Sequence, residues 1–147
     1  MTTLQPPRRS ADPRNVMKPD PAAHRRLATV VVVDDNETNL TLFRRILARR
    51  PGLDVLYESD GRRGLDLVRQ RNPDLLLLDL HLPTMDGETV VREIRSDPTT
   101  AATPVVLISG DANAQTKRRL REAGATDYLE KPLNVQALLD AINSLLR

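Results

Sequence analysis

The sequence predicts an α/β domain: a doubly wound parallel sheet of five strands alternating with five helices. Two observations predict it. Short β-branched or leucine-rich runs, bounded by Pro, Gly or Asp, recur along residues 28–147, and between them lie stretches with apolar residues at helical spacing. The strongest runs are residues 29–33, β-branched throughout, and the four leucines 75–78, the composition of strands covered on both faces. Right-handed crossovers leave few ways to thread such a chain.

Residues 1–27 stand apart. They hold five of the eleven prolines and six basic residues against two acidic ones, and they lack apolar periodicity. They are expected to form a disordered basic, Pro-rich leader. The pI near 9.4 suggests a nucleic-acid binder, yet residues 28–147 carry 16 basic and 18 acidic residues, so the basicity belongs to the leader. No aromatic-interleaved basic motif reads as a nucleic-acid contact, and none is expected. Lys117, Arg118, Arg119 and Arg121 form a basic run that reads as a solvated face, with contact to a partner as the alternative.

The absence of cysteine excludes disulfides, thiolate metal sites and a cysteine nucleophile. No apolar stretch nears the roughly 20 residues that span a bilayer, and no signal-peptide core is present. A cytoplasmic protein without membrane contact is expected. Aromatics are limited to Phe43, Tyr57 and Tyr128, so the core must be aliphatic.

In order, the first strand covers residues 29–33 and stops at Asp34-Asp35. Leu40, Phe43, Ile46 and Leu47 mark the first helix, expected to end near Pro51-Gly52. A weaker strand, residues 54–59, suits a sheet edge, and Leu65 and Val68 face inward from a helix over residues 61–71. The third strand runs through Leu75–Leu78 to Asp79. Val90, Val91 and Ile94 mark a helix over residues 87–96, with Asp86-Gly87 read as a turn and helix start and nothing more. Residues 104–108 form the fourth strand, ending at Ser109-Gly110, and residues 112–123 the fourth helix, stopped by Gly124. Residues 127–130 are a short fifth strand before Lys131-Pro132. The last helix carries Val135, Leu138, Leu139, Ile142, Leu145 and Leu146 at helical spacing.

The strand ends hold the chemistry. A buried strand that stops on an acid aims it at the mouth of the sheet, where α/β proteins bind ligands. Asp79 is therefore read as a nucleophile that takes a phosphoryl group. With strands one and three as neighbours, Asp34, Asp35 and Asp79 would converge and repel unless a cation sat among them. An all-oxygen ligand set points to Mg2+ rather than zinc. Lys131 is one of only three lysines beside 19 arginines, and its ammonium suits a carboxylate or a phosphoryl oxygen. Ser109 adds a hydroxyl for a second such oxygen.

Several pieces occur in order: Val33-Asp34-Asp35-Asn36, Asp79 with Leu82-Pro83 and Met85-Asp86-Gly87, Ser109-Gly110, and Ala123-Gly124-Ala125 through Tyr128 to Lys131-Pro132. Together they resemble the response-regulator receiver domain of two-component signalling over residues 28–147. The resemblance implies a flavodoxin-like strand order, 2-1-3-4-5, which the residues alone do not give. It implies Asp79 as phosphoacceptor, with Mg2+ (Mn2+ as alternative) held by Asp34, Asp35, Asp79 and the backbone carbonyl of His81. It implies Ser109 and Tyr128 as switch residues, Lys131 as the family's lysine with a cis bond to Pro132, and His81 and Asp111 as positions that tune acyl-phosphate lifetime. The implied partners are a sensor histidine kinase or histidine phosphotransfer protein, a downstream protein target, and a second copy through the helix 4–strand 5–helix 5 face. Whether such a chain stands alone or belongs to a hybrid kinase is left open.

Two rival readings have specific obstacles. A haloacid-dehalogenase-type phosphatase needs an acid two residues after the nucleophile, where His81 stands. A flavin module of the same architecture needs a phosphate-binding loop after strand one, where Asp34-Asp35-Asn36-Glu37 would repel the phosphate. A third reading, a receiver-like fold without activity, is disfavoured because every expected site position is filled.

Overall fold

The computed structural model describes residues 27–111 and 113–146; the expected leader lies outside them except for Leu27. Five strands and five helices alternate: β1 (Ala28–Val33), α1 (Glu37–Leu47), β2 (Leu53–Glu58), α2 (Gly61–Arg71), β3 (Leu75–Asp79), α3 (Gly87–Ser96), β4 (Val105–Ser109), α4 (Ala114–Ala123), β5 (Asp127–Glu130) and α5 (Val135–Leu145). The strands pair in parallel in the order β2-β1-β3-β4-β5. Both the predicted fold class and the implied order are therefore observed.

Side chains alternate across the sheet, so each strand feeds two cores. Val31, Val33, Leu76, Leu78 and Leu107 pack with α2, α3 and α4 through Leu65, Val90, Ile94 and Leu120. Val30, Val32, Leu75, Leu77 and Ile108 pack on the other face with Phe43 of α1 and Leu138 and Ile142 of α5. β3 and β4 are buried along their whole length, whereas β2 and β5 are edges and only partly covered.

Every helix starts the same way. Asn36, Asp60, Asp86, Asn113 and Asn134 each accept from the backbone N–H three residues on, satisfying a donor that the first turn leaves free. Local bonds of this kind and others like them move three predicted boundaries. α4 begins at Ala114, not 112, because Asn113 accepts from Thr116 N at 2.7 Å. β2 stops at Glu58, whose carboxylate turns back to accept from the N–H groups of Ser59 and Asp60. α1 ends at Leu47, short of Pro51, as Arg49 and Arg50 tighten into bonds to Ile46 and Leu47 carbonyls. Among the described residues no helix is long and apolar enough to cross a membrane.

Candidate functional site

Strand register assembles the site. Val33 is level with Leu78, so Asp34, one residue on, comes level with Asp79. Asp79 is level with Ile108, and Ser109 with Glu130. Ser109 and Lys131 thus follow at the same rim, with Lys131 N–H bonded to the Ser109 carbonyl at 2.9 Å. The Lys131–Pro132 peptide is cis.

One carboxylate oxygen from each of Asp34, Asp35 and Asp79 lies within 4.8 Å of the others. Asp34 and Asp79 are 1% and 4% exposed, while Asp35 faces solvent. Lys131 Nζ stands 3.3 Å from Asp79 Oδ1 and 3.5 Å from Asp34 Oδ2. Asp34 also accepts from Asn36 N–H at 2.9 Å and from Asn39 Nδ2 at 3.2 Å, and Asp79 Oδ1 from His81 N–H at 3.2 Å.

Burial, and then the charge of Asp34, raises the Asp79 carboxyl above the ordinary carboxylate range; Lys131 and the His81 N–H pull it back. A carboxylate raised by a neighbouring carboxylate is relieved by positive charge placed between them. Three clustered carboxylates with no sulfur or imidazole donor fit a hard, oxygen-seeking divalent cation of the Mg2+ type.

The remaining expected residues divide into two groups. Ser109 is fully buried and its Oγ accepts from Asp111 N–H at 3.1 Å. The Asp111 carboxylate reaches across the mouth to His81 Nε2 at 3.2 Å. The two positions expected to tune lifetime therefore touch one another. Tyr128, on β5, engages a different set: Lys117 Nζ lies 5.5 Å from its ring centroid and pairs with Glu130 at 3.2 Å. Its hydroxyl is buried and has no hydrogen-bond partner among the described residues.

Three contributors went unforeseen. Asn39 buttresses Asp34 from the first turn of α1. Lys117, read as part of a solvated face, instead covers Tyr128. Gly87 is more than a helix start: a Cβ there would lie 2.6 Å from the Asp79 carbonyl oxygen and 2.8 Å from Leu80 Cα, so the approach of α3 to the end of β3 requires glycine. The chain signals the first only through an Asn within one helical turn of the acids, and for Lys117 and Gly87 it gives the residues but not these contacts.

Residues 30–143 match the family model described as the response regulator receiver domain. The polar-differentiation response regulator DivK of Brucella ovis is 32% identical over 118 residues, covering 80% of this chain and 95% of DivK. Among solved structures, the chemotaxis protein CheY4 of Vibrio cholerae is 26% identical with a TM-score of 0.75, covering 81% of this chain and 98% of that one. The receiver domain of the sensor histidine kinase PA1611 of Pseudomonas aeruginosa, whose structure has a magnesium ion coordinated in the active-site cleft, is 27% identical with a TM-score of 0.74, covering 82% and 98%.

Proposed function

This chain belongs to the response regulator receiver-domain family, and from that premise we propose that Asp79 accepts a phosphoryl group from the phosphohistidine of a sensor histidine kinase or histidine phosphotransfer protein. Receivers are signalling modules rather than enzymes that turn over an external substrate. In the transfer an Asp79 carboxylate oxygen bonds to phosphorus as the phosphorus–nitrogen bond breaks, and the donor imidazole leaves with that electron pair. Asp34, Asp35, Asp79 and the His81 carbonyl would hold Mg2+, or Mn2+ in its place, which when bound supplies positive charge for the phosphoryl oxygens.

The chain's own groups do the rest. Lys131, already 3.3 Å from Asp79 Oδ1, is the cation that a phosphoryl oxygen inherits. Ser109 Oγ leaves the Asp111 N–H for a second oxygen. Tyr128 changes rotamer with it, shifting the α4–β5–α5 face toward a downstream protein or a second copy of the chain. The His81–Asp111 pair sits over the approach that hydrolytic water needs. His81→Asn and Asp111→Ala are expected to change the decay rate of the acyl-phosphate without preventing its formation; unchanged decay in both would remove that role.

The observation that carries this reading is a buried aspartate sharing one ammonium with a second buried acid. Acetyl phosphate should label the protein in a Mg2+-dependent manner, and Asp79→Asn should abolish the label. Labelling that persists in Asp79→Asn, or that ignores removal of Mg2+, refutes it.

A further inference from the structure

Residues 80–86 link Asp79 to α3 and include His81. Their ends are tied by the backbone, Leu80 N–H to the Ile108 carbonyl at 3.0 Å and Gly87 N–H to the Leu80 carbonyl at 2.8 Å. Between these ends Asp86 caps α3, and among the described residues two further side-chain hydrogen bonds join the loop to elements other than β3 and α3. One is His81–Asp111, toward the β4–α4 connection. The other lies on the opposite flank, where Thr84 Oγ1 donates to Asp60 Oδ1 at the start of α2.

The second tether is built in. Asp60 divides its carboxylate: Oδ2 caps α2 by accepting from Arg63 N–H at 2.9 Å, leaving Oδ1 for Thr84. The Thr84 hydroxyl, followed by the Arg63 N–H, holds the Asp60 carboxyl below the ordinary range, so the acceptor is ionised at neutral pH. Beside it the backbones nearly touch. A Cβ on Gly61 would lie 2.2 Å from the Met85 carbonyl oxygen and 3.3 Å from Leu82 Cδ1. The close approach of the loop backbone to the start of α2 therefore requires glycine at position 61.

We propose that Asp60 and Thr84 are positioning residues for the phosphoryl-acceptor site: they seat the loop on α2 and so fix the His81 main chain relative to Asp79. This rests on the proposed function, in which the His81 carbonyl is a cation ligand. The His81 N–H already bonds Asp79 Oδ1 at 3.2 Å, so any drift of the loop moves a ligand and a carboxylate donor together. Groups that orient ligands act on affinity and rate in this way.

Thr84→Val keeps the side-chain shape, removes the donor and leaves the Asp60 cap intact. In the full chain we expect Mg2+ affinity, measured by titration with MgCl2, to weaken at least threefold. Labelling by acetyl phosphate should slow correspondingly, with the Tm of the metal-free protein unchanged and Thr84→Ser restoring both. Wild-type Mg2+ affinity in Thr84→Val, a Thr84→Ser variant as impaired as Thr84→Val, or a fall in Tm that parallels the loss of affinity would each overturn it. Failure of the unsubstituted chain to bind Mg2+ would instead overturn the proposed function, and this inference with it.

Discussion

Replacing Asp79 with asparagine is expected to stabilise the metal-free protein by about 2 kcal/mol. Asp79 and Asp34 present oxygens within 4.8 Å of each other, a separation at which two negative charges repel by about 3.5 kcal/mol at an effective dielectric near 20. Lys131 at 3.3 Å attracts by about 5 kcal/mol on the same scale, but removing a carboxylate from water costs several kcal/mol more. The balance is unfavourable to the ionised acid, in the direction of its raised carboxyl. Asparagine keeps the shape and an oxygen for the His81 N–H while offering amide protons to the neighbouring acids. In a domain of this size the gain corresponds to a Tm rise of about 5–10 °C. Because the folded-state carboxyl titrates above its unfolded-state value, the folded protein holds the extra proton between those two values. Wild-type stability therefore falls as pH rises through that window, and the penalty is complete above it. The advantage of Asp79→Asn should be full at neutral pH and shrink toward acid. Mg2+ at ten times its Kd should stabilise the wild type by about 1.4 kcal/mol and narrow the gap. Thermal unfolding followed by circular dichroism, in EDTA and in Mg2+, reads all three. An Asp79→Asn protein less stable than wild type in EDTA at neutral pH would show that the Lys131 attraction outweighs burial and repulsion.

Other substitutions probe the supporting structure. Gly87→Ala gains at most about 1 kcal/mol of helix propensity, but its methyl group meets backbone atoms at 2.6 and 2.8 Å. Overpacking of about 1–3 kcal/mol should win, and urea unfolding should show a net loss. Lys131→Gln leaves two buried acids without their shared cation, so the metal-free protein should lose about 1–2 kcal/mol, discounted for the partial exposure of the lysine. Mg2+ should recover most of that loss in denaturant titrations, while acetyl phosphate labelling slows. Arg95 donates to the carbonyls of Gly124, Ala101 and Thr103 and to Thr126 Oγ1. Arg95→Met should cost about 2 kcal/mol, and Arg95→Lys should not rescue it in the same unfolding assay, because one ammonium cannot reproduce the planar fork.

The strands and the acids at their ends were legible because both signals are local. Residues 75–78 can scarcely be anything but a strand buried on both faces, and Asp79 follows directly. Strand order was not legible from the residues, since alternation fixes a parallel sheet but not which strand lies beside which; it came from the family resemblance. Element ends shifted where a side chain offered the backbone a competing bond, as Glu58 and Asn113 do. The supports of the site were the least visible. Thr84 and Asp60 are 24 residues apart, and Arg95 reaches carbonyls in two other loops, so no periodic pattern announces them. Gly61 and Gly87 read only as helix starts until the neighbouring backbone is brought against them.

The sheet has a stiff middle and a soft margin. β3 is buried at every residue, whereas β5 is four residues long with none fully covered. Sub-global opening should thus begin at that rim, so amides of β5 should exchange with deuterium well before those of β3. Tyr128 sits on the lax side of this gradient and Asp79 on the rigid one, so the proposed acceptor lies where the scaffold yields least and the proposed switch residue where it yields most.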